Sequence, residues 1–328
     1  MSSIDWPAFV EIIHANQTFV LTSHIRPDCD ALGSELGMAG VLRTLGKDVQ
    51  IVNGQRTPPN LSFIDPAQEI RVFDEDVKLE ELVERDVLMI LDTSAWAQLG
   101  PMGEVVRGTK GKKLVVDHHV SEDEMGAIAF KNTSAEATGR LVMEAADQLG
   151  VELTPSMAKP LFAAIATDTG WFRFGSADAS TYRHAAKLID SGARPDEIYG
   201  SLYEQDKLGR IRLRGMVLER IHTEMDGDLG YTYIGRDDFA RLGALPSDTE
   251  DLVNMVLAVQ GIKVAAIFIQ QIDGGFKISF RSRCHVDCSE LASKFGGGGH
   301  RAAAGAFVDG ELDEVKSVVL DAVREAMR

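Results

Sequence analysis

Four short segments of the sequence carry side chains that bind metal ions. They are SHIRPDCDALGS at 23–34, LDTS at 91–94, VVDHH at 115–119 and ATDTGWFRF at 166–174. The first three follow predicted strands, and the fourth lies in a helical part of the chain. Pro27 rigidifies the turn after the first of these strands, so an imidazole and two carboxylates can converge there.

Six side chains from these segments form a set of nitrogen and oxygen ligands: His24, Asp28, Asp30, Asp92, His118 and Asp168. Such a set suits Mn, Zn or Mg, and we predict Mn²⁺ as the compromise among them. The four carboxylates balance the charge of two divalent cations. Paired cations about 3.5–4 Å apart generate a bridging hydroxide and stabilise the attacking and leaving oxygens at phosphorus. The sequence therefore predicts a two-metal site for phosphoester hydrolysis.

Each segment taken alone has an ordinary explanation. A single Asp after a strand usually caps a helix or a turn, and a single His is more often structural or exposed. We interpret His14, His184 and His222, which lie in helical sequence, in that way. The joint occurrence of the four segments favours a metal site.

The elements that must position these residues alternate along the first half of the chain. Apolar runs predict strands at 19–23, 48–52, 86–91 and 112–116, with helices at 34–45 and 79–84 between them. This order predicts an α/β fold with a mostly parallel sheet, which binds ligands at its strand ends. From 136 to 191 the sequence is helical, and the pairs Thr154-Pro155 and Arg194-Pro195 predict helix starts.

The second half of the chain predicts a smaller unit of mixed α/β type. Strands are expected at 231–234, 264–271 and 276–280, and the turn Asp273-Gly274-Gly275 joins the last two as a hairpin. We therefore predict a catalytic domain at 1–195, a helical linker at 196–223 and a second, smaller domain at 224–328.

Charge and composition limit the partners of the chain. Its 34 Lys plus Arg against 50 Asp plus Glu give a formal net charge of -16, which argues against binding duplex DNA. A nucleic-acid substrate is expected to be short. Three Cys fit a reducing compartment, and no apolar run approaches the roughly 18–20 residues of a membrane span. With no secretory signal visible at its start, the sequence predicts a cytoplasmic protein without a membrane partner.

The four segments resemble the motifs of the DHH phosphoesterase superfamily, which is named after the Asp-His-His found here at 117–119. The resemblance covers nearly the whole chain and implies that Asp92 bridges two Mn ions. It implies that the ligands of the first ion are His24, Asp28 and Asp92. It implies that the ligands of the second ion are Asp30, Asp92, His118 and Asp168.

The same resemblance assigns catalytic roles to the two residues that flank His118. It implies that His119 faces the scissile phosphate, as a stabiliser or as a proton donor. It also implies that Asp117 supports the histidines from behind.

The segment GGGGHRAAAG at 296–305 resembles the glycine-rich motif of the DHH-associated C-terminal domain of nanoRNases and RecJ-like exonucleases. Successive glycines let backbone N–H groups approach an anion, and the nearby FRSR at 280–283 offers guanidinium groups for a phosphate. We predict as substrate-binding residues Arg281, Arg283, Gly298, Gly299 and His300. The alternatives are a flexible loop beside a solvated Arg pair and, at 284–288, half of a zinc site that lacks its other half.

The resemblance implies the branch of nanoRNases and pAp phosphatases. The abbreviation pAp stands for adenosine bisphosphate. Such an enzyme is a phosphoric ester hydrolase and exonuclease that trims short single-stranded oligoribonucleotides to mononucleotides and dephosphorylates pAp. Two alternatives stay open: a phosphodiesterase of cyclic or linear dinucleotides, and a catalytically inactive nucleotide-binding regulator. Inorganic pyrophosphatase is disfavoured because that branch has a different C-terminal domain. A homodimer is also left open.

Overall fold

The structure is a computed structural model that describes residues 4–328. Residues 1–3, which belong to the predicted domain 1–195 and to the segment considered for a secretory signal, lie outside the described residues. The chain divides into two compact units between Gln205 and Asp206. This boundary falls inside the predicted linker 196–223, and the boundaries drawn from the sequence stay a prediction. Over residues 4–328, no helix combines the length and the apolar character that crossing a membrane requires.

The first unit contains a six-stranded sheet in which all neighbouring strands are parallel. Its strands are β1 (Thr18–Thr22), β2 (Asp48–Asn53), β3 (Ile70–Val72), β4 (Val87–Leu91), β5 (Lys112–Asp117) and β6 (Ile128–Lys131). Their order in the sheet is β3-β2-β1-β4-β5-β6. The predicted parallel α/β fold is confirmed. The short edge strands β3 and β6 were not predicted from the sequence.

Helices cover both faces of this sheet. They are α1 (Trp6–Ala15), α2 (Cys29–Thr44), α3 (Leu79–Leu82), α4 (Trp96–Leu99), α5 (Met102–Gly108), α6 (Thr138–Gln148), α7 (Pro155–Asp168), α8 (Ala179–Asp190) and α9 (Pro195–Tyr203). Alternate strand residues point to opposite faces, so Phe19 and Leu21 pack in one core and Val20 in the other. The larger core receives α1, α2, α6 and α7, and the smaller one receives α5.

The start of α2 differs from the prediction, which placed this helix at 34–45. The helix begins at Cys29, because Asp28 caps it by accepting the backbone N–H groups of Asp30 and Ala31. Gly33 serves a different purpose. A Cβ there would lie 2.4 Å from the carbonyl oxygen of Pro160, so glycine lets α2 pack closely on α7. This contact positions the first turn of α2 beside the last turn of α7.

The second unit is built on a mixed sheet of order β11-β12-β10-β9-β8-β7. Its strands are β7 (His222–Glu224), β8 (Leu229–Ile234), β9 (Val264–Gln270), β10 (Phe276–Ser282), β11 (Gly298–His300) and β12 (Ala303–Val308). Its helices are α10 (Leu208–Glu219), α11 (Arg236–Leu242), α12 (Leu252–Leu257), α13 (Cys288–Ser293) and α14 (Leu312–Met327). Only the β8–β9 pair is parallel among these described strands. The predicted mixed α/β character is confirmed.

Candidate active site

The four predicted motif segments meet at the carboxyl-terminal edge of the parallel sheet. Strands β1, β4 and β5 are neighbours: β1 ends two residues before His24, β4 ends directly before Asp92, and β5 ends at Asp117. Asp28 and Asp30 come from the start of α2, and Asp168 is the last residue of α7. The helical segment 166–174 therefore joins the three strand-end segments. Side chains from four separate segments of the sequence become neighbours.

The first cluster consists of His24, Asp28 and Asp92, whose ligand atoms lie within 4.8 Å of one another. The Nε2 atom of His24 is 3.5 Å from Asp92 Oδ2 and 4.0 Å from Asp28 Oδ1. Asp28 is 62% exposed, whereas Asp92 is only 2% exposed. This cluster is therefore open to solvent on the Asp28 side.

The second cluster surrounds the Nε2 atom of His118. This atom is 3.7 Å from Asp30 Oδ2, 3.6 Å from Asp92 Oδ1 and 3.5 Å from Asp168 Oδ2. The two oxygens of Asp92 thus face different clusters, Oδ2 towards His24 and Oδ1 towards His118. A carboxylate in this position can hold one cation on each side.

The spacing and chemistry of both donor sets fit divalent cations. Ligands about 2.0–2.2 Å from a metal ion are separated by about 3.0–3.6 Å from each other, depending on the coordination geometry. The distances from His118 to its three carboxylate partners come close to this range. Because the donors are imidazole nitrogens and carboxylate oxygens, they suit Mn, Zn or Mg. The residues therefore fit the pair of cations that the motifs imply.

The pKa values of the clustered carboxyl groups also favour cations between them. Burial raises the pKa of Asp30 and of Asp92 well above the ordinary range, and repulsion from neighbouring carboxylates adds to both rises. Burial also raises the pKa of Asp168, although the charge of His118 opposes this. Cations between these groups would supply the positive charge that stabilises their ionised forms.

The imidazoles of His24 and His118 each turn one nitrogen away from the clusters. Nδ1 of His118 lies 3.2 Å from the carbonyl oxygen of Ala135, and Nδ1 of His24 lies 2.9 Å from that of Ile25. A carbonyl oxygen can only accept, so each Nδ1 carries the hydrogen and each Nε2 keeps its lone pair for a cation.

Asp117 and His119 form a hydrogen-bonded pair beside the clusters. Asp117 Oδ1 accepts the backbone N–H of His119 at 3.0 Å and its Nδ1–H at 2.8 Å. Although burial opposes ionisation, bonds from His119 and Ser94 and the charge of Lys131 lower the pKa of Asp117 to about 2. The bond to Asp117 raises the pKa of His119. His119 is 45% exposed, so its Nε2 is available to a substrate.

Thr138 is a site residue that the sequence analysis missed. Asp30 accepts the backbone N–H groups of Thr138 and Gly139 at 2.7 and 2.8 Å, and the Thr138 hydroxyl donates to Asp92 Oδ1 at 2.9 Å. The start of α6 therefore holds one carboxylate from each of two other elements. Threonine is common at helix starts, so its presence in the sequence does not indicate this role. The role follows only from the contacts of Thr138 with Asp30 and Asp92 in the folded chain.

Thr138→Val is expected to weaken Mn²⁺ binding about 10-fold, because it removes the hydroxyl that orients Asp92 and keeps the side-chain shape. Isothermal titration with Mn²⁺ measures the change. Thr138→Ser keeps the hydroxyl and is the matched control, expected to bind within twofold of the original protein. Equal Mn²⁺ affinity in the Val and Ser variants would show that the Thr138 hydroxyl does not support cation binding.

In the second unit, the residues predicted to bind substrate lie on β10 and β11, the two strands that flank β12, and just beyond the end of β10. Ala303 of β12 pairs with Arg281 of β10 on one side and with His300 of β11 on the other. Directly opposed residues share a face of the sheet, so Arg281 and His300 point to the same side. Arg283 is exposed just beyond the end of β10, and the Arg281 Nε–H donates to Asn254 Oδ1 at 3.0 Å.

The glycine run is partly a strand, and Gly299 within it must be a glycine. Gly298 and Gly299 pair with β12, so the alternative of a flexible loop does not hold for them. A Cβ on Gly299 would lie 2.6 Å from the carbonyl oxygen of Ala303, and its φ of +149° suits glycine. The zinc alternative gains no support in residues 4–328: Asp287 caps α13, and the metal-ligand clusters among them all lie in the first unit.

Comparisons with known proteins agree with this arrangement. Residues 18–165 match the DHH family, N-terminal domain, and residues 227–328 match the DHHA1 domain. The bifunctional oligoribonuclease and PAP phosphatase NrnA of Thermus thermophilus is 32% identical over 308 residues, which are 94% of this chain and 89% of that relative.

Two solved structures show the same fold. An exopolyphosphatase-related protein from Bacteroides fragilis is 25% identical with a TM-score of 0.82, and the match covers 98% of this chain and 95% of the other. The exonuclease RecJ bound to manganese is 12% identical with a TM-score of 0.53, and the match covers 100% of this chain and 96% of the other.

Proposed function

The chain belongs to the DHH family, and from this premise we propose that it is a metal-dependent phosphoesterase acting on short oligoribonucleotides and on pAp. The observation that carries the proposal is the position of Asp92, whose two oxygens face the His24 cluster and the His118 cluster separately. Such a pair of adjoining cation sites beside a free imidazole suits attack on a phosphate ester better than any single-ion role.

We propose that the clusters hold two divalent cations, with Mn²⁺ as the preferred ion. His24, Asp28 and Asp92 would hold one, and Asp30, Asp92, His118 and Asp168 would hold the other. When bound, such cations supply a nucleophilic water of lowered pKa and charge that stabilises the oxygens at phosphorus. The manganese in the RecJ structure supports this choice of ion.

The residues of this chain complete the chemistry. Asp117 holds the Nδ1–H of His119, so the Nε2 atom of His119 is the free end of the ring. The hydrogen bond to Asp117 raises the pKa of His119, which favours a protonated ring whose Nε2–H can be donated to a phosphate oxygen or to the leaving oxygen. Asp117, fully buried, fixes the ring in that orientation.

The proposed substrates follow from the relative and from the charge of the chain. The relative in Thermus thermophilus is named for activity on oligoribonucleotides and PAP. The net charge of -16 disfavours long or duplex nucleic acid and is compatible with a substrate of few nucleotides. We propose that Arg281, Arg283 and His300, with the N–H groups of Gly298 and Gly299, bind a phosphate remote from the one that is cleaved.

An assay with Mn²⁺ tests the function directly. Labelled oligoribonucleotides of two to about ten residues, pAp, cyclic di-AMP and pyrophosphate are compared, with products separated by chromatography. We expect mononucleotides from the shortest oligonucleotides and AMP from pAp. Faster turnover of cyclic di-AMP than of either would favour the dinucleotide phosphodiesterase, and binding of all substrates without turnover would favour the inactive regulator.

Arg281→Ala is expected to raise KM about 10-fold for oligonucleotides with a terminal phosphate, because a charge-assisted bond to a phosphate contributes about 1.5–3 kcal/mol. The kcat should change less than threefold, since this contact is remote from the reacting phosphorus. Steady-state kinetics on pApA measure both constants. Arg236→Ala changes an exposed arginine of the second unit outside the predicted phosphate site and is the control. An unchanged KM in Arg281→Ala would place the phosphate contact elsewhere.

A further inference from the structure

Lys131, the last residue of β6, lies behind the Asp117–His119 pair. The parallel register places Lys131 opposite Asp117, and the lysine side chain is only 10% exposed. Its Nζ is 3.1 Å from Asp117 Oδ2 and also donates to the carbonyl oxygen of Ser121 and to Ser94 Oγ. These three acceptors match the three hydrogens of the ammonium group. Lysine is almost never buried unless it is paired, so this position calls for a reason.

The two oxygens of Asp117 have separate partners. Oδ1 accepts both hydrogen bonds from His119, whereas Oδ2 faces Lys131 and accepts the Ser94 hydroxyl at 2.7 Å. Asp117 is completely buried. A buried carboxylate without a cation is strongly disfavoured, so the ammonium group compensates a charge that would otherwise be unpaired. Glu122, 3.9 Å away and largely exposed, adds little to the pair.

We propose that Lys131 is a positioning residue for phosphoester hydrolysis. Its ammonium group fixes the Asp117 carboxylate in place, and Asp117 in turn orients the His119 ring with Nε2 towards the substrate. The bond from Lys131 to the Ser121 carbonyl, at 2.7 Å, also ties the segment that follows His119 to the sheet. The inference rests on the proposed function, because Lys131 would affect hydrolysis only through the proposed role of His119.

The test compares Lys131→Met, Asp117→Asn and the double variant on pAp with saturating Mn²⁺. Lys131→Met is expected to lower kcat at least 10-fold while KM and Mn²⁺ affinity stay within threefold. In the Asp117→Asn background the same change should lower kcat less than twofold, because the residue through which Lys131 acts has lost its charge. A merely structural lysine would lower the folded fraction in both backgrounds alike.

Thermal unfolding provides a second readout that does not depend on activity. Lys131→Met should lower Tm, and adding Asp117→Asn should restore part of the loss, because no unpaired buried charge remains. Lys131→Gln replaces Lys131→Met if the latter does not fold. Lys112→Met, an exposed lysine at the other end of β5, is the control and should match the original protein.

Two results overturn the inference: a Lys131→Met variant that keeps more than half of the original kcat, or equal fold-losses of kcat in the two backgrounds. Strictly additive Tm changes would also contradict it. An original protein that hydrolyses none of the substrates instead refutes the proposed function, and the Tm comparison then still decides whether Lys131 and Asp117 are coupled.

Discussion

Asp92→Asn is expected to abolish Mn²⁺ binding at both clusters and to lower kcat at least about 1,000-fold, since a residue needed at both sites has no substitute. Asn offers one neutral carbonyl oxygen where Asp92 offers two charged ones. One cluster therefore receives an amide NH2 group in place of an oxygen, and the other keeps only a neutral oxygen. Neither cluster keeps the negative charge of Asp92. Asp92→Ala should give the same double loss. Isothermal titration and steady-state turnover of pAp measure the two effects.

The backbone of Asp92 makes the choice of variant important. Its φ is +63°, a left-handed conformation that Asp and Asn tolerate better than most residues, so Asp92→Asn should leave the fold intact. Asp74 has a φ of +67° and an exposed side chain, which makes Asp74→Asn a matched control with full activity expected. If Asp92→Asn binds two Mn²⁺ with unchanged affinity, the bridging role is wrong.

His119→Gln is expected to lower kcat by about 10²–10⁴-fold while Mn²⁺ binding is retained. In His119 the nitrogen that faces the second cluster is Nδ1, 3.7 Å from Asp92 Oδ1, and Asp117 already accepts its hydrogen. We therefore expect His119 to act on the reacting phosphate through Nε2 and not as a cation ligand. His118→Gln should show the opposite order of effects, with weakened Mn²⁺ binding as the primary loss. The pair of variants separates the two adjacent histidines by measurement of binding and turnover.

The solvent-exposed His14 supplies the control for this comparison. His14→Gln should bind Mn²⁺ and turn over pAp as the original protein does. Should His119→Gln lose Mn²⁺ binding together with activity, His119 belongs to the cation shell, where Asp92 Oδ1 lies 3.7 Å from its Nδ1 atom.

The convergence of the motif residues was predictable from the sequence because parallel strands end at a common edge. The apolar runs before Ser23, Asp92 and Asp117 predict strands, and their polar ends must then meet. The helical segment containing Asp168 carried no such geometric signal. Its place beside the strands depends on the close packing of α7 on α2, which Gly33 permits.

The supporting residues could not be predicted, because their roles depend on register and on helix ends. Lys131 reaches Asp117 only because β6 pairs with β5 in a particular register, and β6 itself was missed as a short edge strand. Thr138 acts through the first turn of α6. The start of α2 was misplaced because Asp28 was considered only as a ligand, although it also caps the helix. A sequence motif identifies Asp28 as a candidate ligand but does not show that it also caps a helix.

Anomalous diffraction at the manganese edge, from crystals grown with Mn²⁺, tests the central claim most directly. Two peaks about 3.5–4 Å apart are expected, one on each side of the Asp92 carboxylate. One peak should lie within coordination distance of His24 and Asp28, and the other within that of Asp30, His118 and Asp168. A single peak, or none in contact with Asp92, would contradict a paired-cation site.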